Sequence, residues 1–141
     1  MTQIDFYILS EQSPHNRDML SCRLAEKVYK LGNRLYIHTD SHSEACRVDD
    51  LLWTYRDGSF LPHEIYREGQ ASESPVVIGH HEEPDAEADV LINLAPAVPL
   101  FFSRFERVAE IIAPQAGEKR GGRERYRFYR ERGYALKTHN L

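Results

Sequence analysis

Apolar positions fall into two rhythms along the 141-residue chain. Short runs rich in β-branched and aromatic residues predict strands at Ile4 to Leu9 (IDFYIL), Arg34 to Thr39 (RLYIHT), Val76 to Ile78 and Val90 to Leu94. Between the first two, Leu20, Leu24, Val28 and Leu31 recur at helical spacing from Asn16 to Leu31, and Gly32-Asn33 supplies the stop of an amphipathic helix. Ser41 and Glu44 have capping-box spacing ahead of a second helix, with Ala45, Val48, Leu51 and Leu52 facing inward. Phe101, Phe105, Val108, Ala109 and Ile112 keep the same spacing and predict a third helix, ended by Pro114 and Gly117. A last helix runs from Lys119 to Arg132 and stops at Gly133, leaving Tyr134 to His139 as a tail or edge strand. Arg56 to Pro75, broken by Gly58, Pro62, Gly69 and Pro75, reads as connecting structure, and HHEEPDAEAD, from His80 to Asp89, reads as a solvated loop.

Strands alternating with helices predict a single α/β domain, with a mainly parallel sheet and helices on both faces. Composition agrees with a globular chain: 41% hydrophobic and 28% charged residues exclude a disordered or fibrous protein. The longest uncharged stretch, Val90 to Ser103, is too short for a bilayer span and carries Pro96 and Pro99. The start MTQIDFYIL lacks the features of a signal peptide, and Cys22 and Cys46, both on predicted helices, show no CxxC and no Cys/His ligand pair at zinc spacing. A reduced, cytoplasmic protein is expected.

Eighteen basic against 22 acidic residues give a net charge of −4, so contact with nucleic acid through the overall field is disfavoured and any such role must be local or indirect. Little chemistry is legible. The turn after the first predicted strand, Ser10 to His15, has no glycine, and neither GxGxxG nor a P-loop lysine occurs. The arrangement is Rossmann-like without a phosphate-binding loop, which leaves Asp40 no phosphate site to cooperate with. His80 and His81, followed by Glu82 and Glu83, offer metal-ligand types, but neighbours on an extended segment point to opposite sides. No nucleophile elbow is present. A nucleotide- or metal-dependent enzyme using Asp40, His80 or His81 is therefore the alternative rather than the leading reading, and no catalytic residue, cofactor or metal is expected.

Two features stand out. From Lys119 to Arg132 there are seven basic residues and two acidic ones, and Lys119, Arg123, Arg127 and Arg130 form one helical stripe beside Tyr126 and Tyr129. Such a stripe is either a solvated face whose tyrosines pack on the core, a site where arginine forks and tyrosine rings hold an anion that also carries an apolar group, or a direct contact to single-stranded DNA. The second feature is LLWTYRDGSFLPH, from Leu51 to His63, where Trp53, Tyr55, Phe60 and Leu61 surround an Asp57-Gly58 turn and either pack on the core or offer a hydrophobic patch to a partner.

DFYIL, ACRVDDLLWTYRDGSFLPHEI, DVLINL and RERYRFYRERGYAL together give the chain a resemblance, over nearly its whole length, to the chi subunits of bacterial DNA polymerase III holoenzyme. The resemblance implies a non-enzymatic adaptor of the clamp loader, in one domain spanning residues 1–141. It also implies two partners: the psi subunit, and the C-terminal tail of single-stranded DNA-binding protein, with aspartates before an apolar tip. An iron-sulfur repair helicase would compete at the psi face. Carried over by position, Lys119, Arg123, Tyr126 and Arg127 are implied at the tail site, with an apolar contribution from Ile112 to Pro114. Trp53, Phe60, Pro62 and His63 are implied at the psi face. Gly121-Gly122 lies inside the tail-site helix, where each glycine costs about 1 kcal/mol relative to alanine.

Overall fold

A computed structural model describes residues 1–58, 60–85 and 87–141. Its strands are β1 (Gln3–Ile8), β2 (Leu35–His38), β3 (His63–Ile65), β4 (Val76–Gly79), β5 (Val90–Asn93), β6 (Arg107–Ile112) and β7 (Ala135–Asn140). They form one sheet in the order β3-β4-β2-β5-β6-β1-β7, and every pairing is parallel. Helices α1 (Arg17–Lys30) and α2 (His42–Thr54) cover one face, and α3 (Ala116–Glu131) covers part of the other.

Strand alternation divides the core. Leu35, Ile37, Val76, Ile78, Ile92 and Ile111 point towards α1 and α2, whereas Ile4, Phe6, Tyr36, Val77, Leu91 and Val108 point towards the α3 side. The chain runs from β1 through α1 and α2 towards the β3 edge, then returns to finish at β7 across α3. The change of face follows the change of direction, as a constant crossover hand requires. Two predicted stops hold: Gly32 and Gly133, at φ +81° and +80°, each follow a helix in the left-handed region. After α3, Tyr134 N–H donates to Tyr129 O and Gly133 N–H to Arg130 O, and the chain enters β7 directly.

Three expectations need correction. Phe101 to Ile112 is not a helix but a 3-10 turn, Phe102–Arg104, followed by β6. In a strand, positions 108, 110 and 112 share a face, so Val108 and Ile112 satisfy both periods, and Glu110 between them hides the strand alternation. The segment Arg56 to Pro75 contains β3, too short for its pattern to register. Leu31 does not face inward; it is 68% exposed at the α1 C-cap.

Candidate functional site

Helix α3 is held against β6 by a buried polar cluster. Arg125 Nε donates to Glu110 Oε1 at 2.9 Å, while Asn93 Nδ2 and the Tyr129 hydroxyl donate to Glu110 Oε2 at 2.9 and 2.7 Å. Arg125 Nη1 also donates to the Pro96 carbonyl at 3.0 Å. Burial pushes the Glu110 carboxyl up, against the pull of Arg125, Asn93 and Tyr129, and burial beside Glu110 pushes the Tyr129 phenol far up. Arg125, one of the seven basic residues of the C-terminal run, is thus an internal anchor rather than part of a solvated face.

The glycine pair has a packing reason. A Cβ on Gly122 would stand 2.6 Å from Ile112 Cδ1 and 3.1 Å from two further Ile112 carbons, so α3 approaches β6 only because that atom is missing. Gly121 and Gly122 lie inside a continuous helix, which keeps Lys119 and Arg123 in one register despite their low propensity.

With Arg125 and Tyr129 turned inward, Lys119, Arg123, Arg127 and Arg130 are exposed. None of the four forms an ion pair among the described residues. Tyr126 is half-buried, its ring 5.1 Å from that of Phe6, with the Arg130 guanidinium 5.9 Å from its centroid. Ile8 and Leu136 are also half-buried and pack on the same cluster. The structure therefore brings Lys119, Arg123, Tyr126 and Arg127 onto one helix, beside an apolar strip that reaches the edge strand β7. Ile112 lies beneath α3 rather than on the surface, and Pro114 is half-buried just ahead of it.

The second group gathers at the opposite edge, where α2 packs on β3 and β4. Trp53 and Phe60 are 60% and 86% exposed, and Pro62 is exposed. His63 is not: its Nδ1 lies 2.7 Å from the Leu61 carbonyl and its Nε2 3.1 Å from the Asp49 carbonyl. The Trp53 ring rests on it with centroids 4.4 Å apart, so His63 supports Trp53 from below and offers no surface of its own. Leu61 is buried and Tyr55 half-buried, so the aromatic cluster divides between core and surface.

At the C-terminal ends of β1 and β6, where ligands of open α/β sheets usually bind, lies a cavity of about 500 Å³. Its lining carries Glu11, Asp18 and Glu118 against Arg17, a net negative set that disfavours a phosphate. His80 and His81 depart from the expected opposed orientation: beyond the end of β4 their rings lie 4.6 Å apart, tilted by 38°. Extended-strand alternation does not reach them, because β4 ends at Gly79.

These features define a three-layer parallel α/β protein with a glycine-free first turn and an unpaired cationic stripe on its last helix. The chain belongs to the DNA polymerase III chi subunit family: the family described as "DNA polymerase III chi subunit, HolC" matches residues 1–137. A protein named DNA polymerase III subunit chi from Pseudomonas aeruginosa is 38% identical over 141 residues, covering 100% of this chain and 98% of its own. Proteins of the same name from Haemophilus influenzae and Escherichia coli are 28% and 29% identical, over 96% and 98% of this chain and 95% and 97% of theirs. Among the described residues no helix is long and apolar enough to cross a membrane.

Proposed function

We propose that this chain acts in DNA replication as a non-enzymatic adaptor. Its α3 surface takes the acidic C-terminal tail of single-stranded DNA-binding protein, and its Trp53 and Phe60 surface takes the psi subunit of the clamp loader, or a helicase that competes for it. Family membership supports the replication role. The observation that carries the tail reading is Arg123, exposed and unpaired on the same helix face as Tyr126, which is half-buried beside an apolar strip. Arg123 meets the terminal carboxylate with its guanidinium fork, Tyr126 walls the apolar tip, and Lys119 and Arg127 face the aspartates. Exposed charges of this kind give a contact that salt weakens, since screening acts over about 8 to 10 Å at physiological ionic strength.

Fluorescence anisotropy of a labelled tail peptide tests the reading. Because a charge-assisted hydrogen bond is worth about 1.5 to 3 kcal/mol, Arg123→Ala should weaken binding about tenfold or more. Removing the peptide's apolar tip should weaken it as well. Equal affinity for the intact and tipless peptides, or for wild type and Arg123→Ala, would remove this site. Tight binding of a bare oligonucleotide through the same arginines would favour direct DNA contact instead.

A further inference from the structure

At the C-terminal ends of β2 and β4, away from both surfaces above, four histidines and a cysteine gather: His38, His42, Cys46, His80 and His81. His42 and Cys46 are one turn apart at the start of α2, with Cys46 Sγ 3.5 Å from His42 Nε2. That separation fits a thiol-to-imidazole hydrogen bond. It is also what a tetrahedral zinc-type ion needs, because bonds of about 2.3 Å to sulfur and about 2.05 Å to nitrogen put those atoms about 3.6 Å apart. Two imidazoles on one such ion have ring centroids about 5 Å apart, and the His42 and His80 centroids are 5.7 Å apart. The Nδ1 atoms of His38, His80 and His81 are buried without a hydrogen-bond partner, a cost that a bound ion can relieve.

We propose that His42 Nε2, Cys46 Sγ and His80 Nδ1 bind one divalent ion of the zinc class, with water completing the tetrahedron. Among the described residues no three such side chains are already arranged to hold an ion. The His42 and Cys46 pair stands at chelating distance, and the His80 ring must rotate to join it. On binding, the metal–sulfur bond replaces the Cys46 S–H bond and the proton passes to solvent, so affinity rises with pH.

Cobalt(II) titration of the reduced, tag-free, chelator-stripped chain tests the proposal. The expected result is one equivalent bound, with the visible bands of tetrahedral cobalt and a thiolate-to-cobalt charge-transfer band, both displaced by zinc. That band reports Cys46, because Cys22 is buried and its thiol is pushed up to about 12 by burial. Cys46→Ser should abolish the charge-transfer band, and His42→Ala or His80→Ala should weaken binding by about 100-fold or more, at least the cost of losing an outer-shell partner. A purely octahedral cobalt spectrum, or zinc affinity unchanged in Cys46→Ser or in His80→Ala, would overturn the site. Tail-peptide and psi binding do not depend on the result, because Arg123 and Phe60 lie elsewhere.

Discussion

Glu110 and Arg125 face each other at 2.9 Å with almost no solvent access, and that pair fixes which way α3 turns its other arginines. A charge at the centre of β6 needs a counter-charge, and Arg125 supplies it from the inward face of the helix. Arg123 and Arg127, two residues either side, are thereby directed outward. Arg125→Ala leaves Glu110 buried without its cation, so urea unfolding should show a loss of about 3 to 5 kcal/mol. A loss below about 1 kcal/mol would mean that the pair does not anchor the helix.

Gly122 and Gly121 should behave differently although they are neighbours. Gly122→Ala drives a methyl into Ile112 and should destabilise by about 1 to 3 kcal/mol despite alanine's better helix propensity. At Gly121 the nearest atom to a new Cβ is Arg125 Nη1 at 3.1 Å, against 2.6 Å at Gly122, so although that guanidinium is held by Glu110 and the Pro96 carbonyl, Gly121→Ala should cost less. Thermal unfolding of the two variants side by side checks the order.

Much of this was legible in the sequence, and the failures have physical causes. The α1 stop at Gly32-Asn33, the Ser41 cap and the exposed stripe of α3 rest on local chemistry; the Ser41 hydroxyl does accept from Glu44 N–H. β6 was missed because Glu110 interrupts the apolar run, and its compensation comes from Arg125 and Asn93, residues distant in sequence. The resemblance implies His63 at the psi face, but it is buried through an approach to Asp49 on another element, a contact that no local pattern shows. His42 and Cys46 share one helix turn, a Cys/His pair that the search for zinc spacing passed over, whereas the His80 ring, 5.7 Å from that of His42, comes from beyond the end of β4, far off in sequence.

Asp5 ties three strands at the β7 edge. Arg107 of β6 donates to it at 2.8 and 3.2 Å, and His139 Nε2 of β7 lies 3.2 Å from its Oδ1. Burial pushes the Asp5 carboxyl up, but the hydrogen bonds from Arg107 and His139 outweigh it and hold the pKa below 3.8. A lowered folded pKa means that this stabilisation is present above pH 3.8 and is lost as pH falls through the folded value. Urea unfolding between about pH 5 and pH 2 should therefore fall less steeply in Arg107→Ala than in wild type. Parallel acid limbs would contradict this role for Asp5.

Trp53 and Phe60 are exposed enough that truncation should leave the fold intact. Phe60→Ala should keep the wild-type unfolding free energy to within about 0.5 kcal/mol, as is typical of surface changes, while abolishing capture of psi. A large stability loss would show that the ring packs on the core.

The β3 edge with Trp53 and the β7 edge with α3 are separated by six inter-strand steps, about 29 Å at 4.8 Å each. Sites that far apart and on opposite faces should be filled independently. The most direct measurement immobilises single-stranded DNA-binding protein, adds this chain and then psi, and follows mass on the surface. Psi should be captured only when the chain is present, with Arg123→Ala failing at the first step and Phe60→Ala only at the second. Psi that displaces the chain from the surface, or one variant that abolishes both steps while remaining folded, would contradict an adaptor with two separate faces.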